Sequence, residues 1–268
     1  MFSINRKHIQ ERLGNTNINI QGEKMRIIQY NSATDINIQF EDTGNVLFHQ
    51  CYSNFLRGTL KDYYLPTLYG KGILENSNIY DENGNKRIEF IYWDGMMKRC
   101  YSEPELKKYP SYKGCSVCNE WLHFSQFETW FSQNYYQCGN EKMNLDKDIL
   151  YKGNKLYSPN TTIFVPERIN ILFTKTNRNR GKYPIGVYYK KQNKKFVAQV
   201  SKLKNEESNT KKQEYLGMFD TPEDAFEVYK KEKEKYIKEV ADCYRYKYSN
   251  FPDELYYALY NYKVEITD

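Results

Sequence analysis

With 268 residues, 40% of them hydrophobic and 28% charged, the chain is globular and long enough for two or three domains. No apolar run approaches the roughly 18 residues of a membrane span, and the opening stretch MFSINRKHIQERLG has no apolar core of a signal peptide, so a cytoplasmic location is expected. The net charge of +6 sits almost wholly in one segment: residues 174–245 hold 18 Lys/Arg against 11 Asp/Glu.

Residues 1–20 are polar and Asn-rich without a usable period and read as an arm. Strand patterns begin after Gly22. Met25 to Tyr30 has apolar residues on both parities, and Asp35 to Phe40 alternates, with Ile36, Ile38 and Phe40 on one face. Val46 to Phe48 reads as a third strand and Tyr52 to Leu60 as a turn plus strand. Several short strands in this span predict a small, barrel-like β module. Gly70, Gly72 and the polar run Glu75 to Lys86 read as a linker.

Arg87 to Tyr101 reads as a helix, with Ile88, Ile91, Tyr92, Met96 and Arg99 near helical spacing. Glu103 to Lys113 reads as a charged loop. Asn119 to Phe131 carries Trp121, Phe124, Phe127 and Phe131 as one apolar stripe and predicts a helix on a core. Met143 to Asn170 comes next. Asp146 and Asp148 stand one residue apart at the end of a short apolar run. A Gly-Asn turn, a second strand at Thr162 to Val165 and a helix opening at Pro166-Glu167 follow. Hairpin then helix, with acids on the first strand, is a frame for one metal ion facing a phosphate; a solvated turn between two strands is the alternative.

Thr174 to Lys204 carries ten Lys/Arg, among them Arg178, Arg180, Lys182, Lys190, Lys191, Lys194 and Lys195, and no acid. A run of lysines usually marks a solvated face. Such faces mix signs, so the lack of acids points to a polyanion partner. Pro184 to Tyr189, Phe196 to Val200 and Tyr215 to Phe219 read as three strands, with a basic turn between the first two and a long polar loop, Lys204 to Lys212, before the third. Thr221 or Asp220 can cap a helix that has Pro222 first and Glu223 and Asp224 in its first turn. Ala225, Phe226, Tyr229, Ile237, Val240, Ala241 and Tyr244 form its apolar face. A β-ribbon of this kind can lie in the DNA major groove, with Tyr188 interleaved among the lysines. Pro252 to Tyr262 predicts a short aromatic helix.

Ile185-Gly186-Val187, Phe196-Val197-Ala198-Gln199-Val200 and Leu216-Gly217-Met218-Phe219-Asp220-Thr221-Pro222-Glu223-Asp224-Ala225-Phe226 resemble the Apetala/ERF-type DNA-binding domain, over residues 183–245. That resemblance implies double-stranded DNA bound through a three-stranded sheet. Upstream, Trp93 to Tyr101, then Val117 to Trp121 with Phe124 and Phe127, are similar to phage and mobile-element HNH homing endonucleases, which often carry an Apetala-type domain C-terminally and a small β module N-terminally. The similarity implies phosphodiester hydrolysis with one Mg²⁺ or Mn²⁺, in a bacterial host cell for a phage-encoded chain. It places Leu145 to Ile149 and Tyr157 to Thr161 on the ββα-metal core. Asp146 then matches the metal-binding acid, and Asn160 and Thr161 fall at ligand positions.

The sequence departs from that pattern at Lys147, where the family's general-base His belongs. The chain's His residues are His8, His49 and His123. Lys147 would need a strongly lowered pKa to act as a base; Asp148 is the substitute. Two outcomes follow from the resemblance: an altered nuclease, or a DNA-binding regulator that keeps the fold without the chemistry. A structural or partner-binding protein acting through the N-terminal β module is a third reading.

The six cysteines are expected as free thiols or metal ligands in a reducing compartment. Cys115 and Cys118 form a CxxC, and Cys100 and Cys138 would complete a Cys₄ zinc site. Cys100 and Cys138 lack a CxxC spacing of their own, so buried thiols are the stronger reading. The expected architecture is α+β and multi-domain. An arm and β module occupy residues 1–80, an HNH-like ββα-metal core with flanking helices 81–173, an Apetala/ERF-type three-stranded sheet plus helix 174–248, and a helical tail 249–268.

Overall fold

The computed structural model describes residues 11–173, 182–205 and 208–266, and the strand alternations above set its first sheet. β1 (Thr16–Ile18), β2 (Lys24–Ser32), β3 (Asp35–Phe40) and β4 (Val46–Gln50) form an antiparallel sheet in sequence order. Met25, Ile27, Tyr30, Ile36, Ile38 and Phe40 form its buried core with Phe55 and Leu60. The mixed parity of β2 has a local cause. Ile27 pairs with Ile38 and Gln29 with Asn37, so Ile28 is an extra, bulged residue that switches the inward parity from Met25 and Ile27 to Tyr30.

Two expectations for this region change. The predicted arm contains β1, because the Asn19 Oδ1 accepts from the Gln21 and Glu23 amides at 2.9 Å and turns the chain back onto β2. Tyr52 to Leu60 holds helix α1 (Tyr52–Leu56), not a strand. Its Phe55 is buried, and the Asn17 amide donates to the Phe55 and Leu56 carbonyls at 2.8 and 3.0 Å, satisfying acceptors at the helix end.

Helix α2 (Ile88–Tyr101) turns a different face inward from the predicted ladder. Phe90, Trp93, Met96, Met97 and Cys100 are buried, while Ile88 and Ile91 are about half exposed. The larger Trp93 takes the core, and its indole N–H donates to the Trp121 carbonyl at 2.7 Å. Glu103 to Lys113, expected as a loop, contains α3 (Glu103–Lys108), which accommodates Pro104 in its first turn. After the two-residue strand β5 (Ser116–Val117), a 3₁₀ turn at Glu120–Leu122 precedes α4 (Phe124–Asn134), so the predicted helix begins later than Asn119. Trp121, Phe124, Phe127 and Phe131 are buried as the stripe requires.

The chain divides into two units, Met1–Lys113 with Val117–Thr129, and Gly114–Ser116 with Trp130–Asp268. In the second, β6 (Met143–Asp146) pairs antiparallel with β8 (Ile163–Pro166), from Met143 opposite Pro166 to Asp146 opposite Ile163. β7 (Leu156–Tyr157) lies between them in sequence, and α5 (Glu167–Phe173) follows β8 directly. Phe164 anchors the hairpin, its ring 5.3 Å from Phe131 and 5.4 Å from Trp130.

β9 (Val187–Lys190), β10 (Lys195–Asn205) and β11 (Ser208–Phe219) form a three-stranded antiparallel sheet in the order β11-β10-β9. The described residues of the polar stretch expected as a loop, Lys204 to Lys212, belong to these strands: Lys212 pairs with Lys202 and Lys211 with Leu203. Polarity misleads here because Lys202 lies between Glu214, at 3.0 Å, and Glu232, at 2.5 Å, which together offset its charge. α6 (Pro222–Lys247) starts as predicted, with the Thr221 hydroxyl accepting from the Asp224 amide. It packs under the sheet through Ala225, Phe226, Tyr229 and Ile237, and α7 (Asp253–Tyr260) covers it through Leu255 and Leu259. No helix among the described residues is long and apolar enough to cross a membrane.

Gly186 ties β9 to α6. Its φ is +75°, and a Cβ built there would lie 2.1 Å from the Tyr229 ring. Gly186→Ala is therefore expected to destabilise this module by about 2–4 kcal/mol, read as a lower denaturant midpoint. An unchanged midpoint would mean that α6 does not press on this turn.

Candidate nucleic-acid interface and hairpin site

Strand alternation assigns the two faces of the β9–β11 sheet. Ala198 and Val200 are fully buried and Lys202 bonds to Glu232 of α6, so this parity faces the helix. The other parity carries Val197, buried between its neighbours Tyr188 and Met218, together with Gln199, Ser201, Gln213 and Tyr215. Tyr215 is 60% exposed and Tyr188 and Met218 about 40%, and Gln213 donates to Ser201 Oγ at 2.6 Å across this face. The face is thus polar and aromatic, with apolar bulk left in solvent. Amides and hydroxyls on such a face are the groups that meet base edges in a DNA groove, and long cations those that meet phosphates.

The basic turn lies at one end of the sheet. Lys190, Lys191 and Lys194 are exposed and have no acidic partner among the described residues, while Lys195, opposite Lys190 in the register, pairs with Asp220 at 2.7 Å. Lys194 has φ +52°, a left-handed conformation better suited to glycine or asparagine. Lys182 is exposed, its ammonium 5.2 Å from the Tyr183 ring. Tyr183, Tyr189 and Phe196 form a ring cluster with centroids 5.1–6.3 Å apart, which braces the base of the turn. Arg178 and Arg180 lie outside the described residues. Gln199, Ser201, Gln213, Tyr215 and Met218 were not singled out from sequence. Gln199, Tyr215 and Met218 stood on predicted strands, and alternation along those strands was the signal that could have found them.

The hairpin brings several predicted residues to one place. Asp146 ends β6, and its Oδ1 accepts from the amides of Asp148 (2.9 Å) and Ile149 (2.8 Å), a tight turn that fixes the carboxyl. Burial, then the neighbouring Asp148 carboxylate, pushes the Asp146 carboxyl up to about 6. Asp148 is exposed. Lys147 is buried, with Nζ 3.5 Å from Asp148 Oδ2 and 5.8 Å from the Tyr157 ring centroid. Its ammonium is engaged as a counter-charge inside the turn. Asn154, not singled out from sequence, closes the loop by donating to the Lys147 and Leu156 carbonyls, each at 2.7 Å.

The register puts Asn160 and Thr161, just before Ile163, at the Asp146 end of the ribbon. Asn160 is exposed. The Thr161 hydroxyl donates to the Leu156 carbonyl at 2.8 Å and lies 2.8 Å from Ser158 Oγ, so it already serves the loop. The half-buried Asp146 carboxylate, with its second oxygen outside the turn, fits a hard divalent ion as a protein donor, with substrate phosphate and water completing the shell. Among the described residues, no three His, Cys, Asp or Glu side chains group as metal ligands.

The cysteines at the predicted zinc positions differ in setting. Cys100, Cys115 and Cys138 are buried and Cys118 is half-buried, all as free thiols. Burial pushes Cys118 up to about 11 and Cys138 up to about 12, which holds both as protonated thiols in the chain as it stands. No protein-family model, curated protein or solved structure matches this chain.

Proposed function

We propose that this protein binds double-stranded DNA through the open face of the β9–β11 sheet and its basic turn, as an Apetala/ERF-type reader attached to an HNH-like hairpin. The observation that carries the reading is the sheet itself: one face is closed by α6, and the other leaves Tyr188, Tyr215 and Met218 in solvent beside Lys190, Lys191 and Lys194. Positioning comes from lysine contacts to phosphates, and discrimination from the amide, hydroxyl and tyrosyl groups of the face.

The hairpin would supply phosphodiester hydrolysis. Asp146 would hold a divalent ion, which stabilises charge on the phosphate and leaving oxygen when bound. Asp148, the exposed carboxylate, is the group placed to accept a proton from water. Lys147, held against Asp148, would offset negative charge without acting as the base. That ion pair, at the position where a His belongs, also favours the second reading, a DNA-binding regulator without cleavage.

One experiment separates the two. Supercoiled plasmid is incubated with the protein and Mg²⁺ or Mn²⁺, alongside a retention assay at several salt concentrations. Nicked or linear product marks the nuclease; salt-sensitive retention without product marks the regulator. Retention that does not weaken as salt rises rules out both, because counterion release accompanies any phosphate-bound complex.

A further inference from the structure

The first unit contains an ionic arrangement that the DNA reading does not use. Glu23 is 4% exposed and Asp62 3% exposed. Both Glu23 carboxyl oxygens are shut off from solvent and have no hydrogen-bond partner. Among the described residues no Lys or Arg pairs with either carboxyl. Asp62 accepts from Thr43 Oγ1, from the Asn45 amide at 2.9 and 3.0 Å, and from the Tyr64 amide at 2.8 Å, a donor set that suits a charged carboxylate. Burial, then Asp62, then more weakly Asp42, raise Glu23. The Asn19 side-chain amide lies close enough to lower Glu23 again, but its hydrogen bond of 3.3 Å goes to Gln21 Oε1. Buried carboxylates are normally neutralised by a cationic side chain or by a metal.

The surroundings are oxygen-rich. Asn19 to Glu23 forms the β1–β2 turn, which Gln21 joins to the Asp62 backbone through hydrogen bonds of 2.7 and 3.2 Å, and Thr43 to Asn45 forms the β3–β4 turn, which meets the Asp62 carboxylate directly. The Asn45 amide straddles both Asp62 oxygens, and turning that amide over would present its carbonyl oxygen instead. We infer that Glu23, Asp62 and Asn45, with the Thr43 hydroxyl and Gln21 beside them, form a binding site for a divalent cation of the calcium class at this end of the first sheet. Two carboxylates balance the charge of such an ion. The amide and hydroxyl oxygens are hard donors, and the flexible geometry of calcium tolerates ligands drawn from three loops. The ion would tie the two turns to the segment after α1.

The test is calcium binding to the full chain by equilibrium dialysis, with terbium luminescence as a second probe. About one ion per chain is expected, with saturable stabilisation against heat. Glu23→Gln keeps the shape and removes the charge, and should weaken calcium binding by at least about tenfold. Binding is also measured in Asp146→Ala, which removes the acid of the hairpin site, and about one calcium ion per chain should remain bound in that variant. No bound calcium in the native chain would overturn the inference whether or not the variant folds. Equal affinity in Glu23→Gln would also overturn it, and affinity lost only in Asp146→Ala would assign the ion to the hairpin instead.

Discussion

Asp146→Asn is expected to stabilise the chain at pH 8 while abolishing any divalent-ion-dependent cleavage of DNA. The asparagine Oδ1 can still accept from the Asp148 and Ile149 amides, so the turn survives. What disappears is a carboxylate raised from 3.8 to about 6 by burial and by Asp148. An acid whose folded pKa lies above its unfolded value favours the fold fully below the unfolded value. That contribution is lost as pH rises from about 4 through about 6. Above that window ionised Asp146 destabilises the native state, by roughly 1–3 kcal/mol after allowance for its coupling to Asp148 and for the nearby Lys147. Denaturant midpoints should therefore coincide for the two proteins near pH 4 and separate above pH 6, with the variant higher. A bound divalent ion would reverse the order by favouring the carboxylate. Equal midpoints at both pH values would show that Asp146 is not strained as the geometry requires. Full cleavage by the variant would remove Asp146 from the chemistry.

Charge reversal of Lys190, Lys191 and Lys194 together should lower affinity for double-stranded DNA on the order of a hundredfold or more at 0.1 M salt. It should also reduce the slope of log affinity against log salt by about 3. These lysines are exposed and have no acidic partner among the described residues, so their replacement breaks no ion pair there. Lys235→Glu is the control. It lies on α6, outside the open face of the sheet, and pairs with Glu239 within the helix at 3.7 Å. Tyr215→Ala tests the face separately from the turn. It should weaken binding while leaving the salt slope unchanged, since it removes contact area and no charge. If Lys235→Glu lowers affinity as much as the triple variant, the attraction is a general effect of net charge and the sheet is not the interface.

Elements whose signal is local were legible from the chain alone. β3 shows its alternation, because Ile36, Ile38 and Phe40 face the apolar core while Asn37 and Gln39 on the other side make hydrogen bonds. The α6 start is written in Thr221, Pro222 and Asp224, since a cap needs only neighbours in the chain. The β6–β8 hairpin with α5 behind it was legible from two apolar runs, a turn and a Pro-Glu opening. The net-basic segment was legible from charge alone.

Tertiary structure decided whatever depended on which partner a residue met. Ile88 and Ile91 matched a helical face as well as Phe90 and Trp93 did, and packing chose the larger side chains. Lys204 to Lys212 read as a polar loop, but the strands run on into it, past Lys202, whose charge Glu214 and Glu232 offset from elsewhere in the chain. Ile28 needed its partner strand to show that it was bulged. The same holds for the sites. Asp146 could be named from sequence, but its raised pKa arises from burial that only the folded hairpin creates. Glu23 and Asp62 look like ordinary surface acids in the sequence. Folding removes them from water without a basic partner, and the electrostatics of that burial, invisible in any linear pattern, makes them a candidate site.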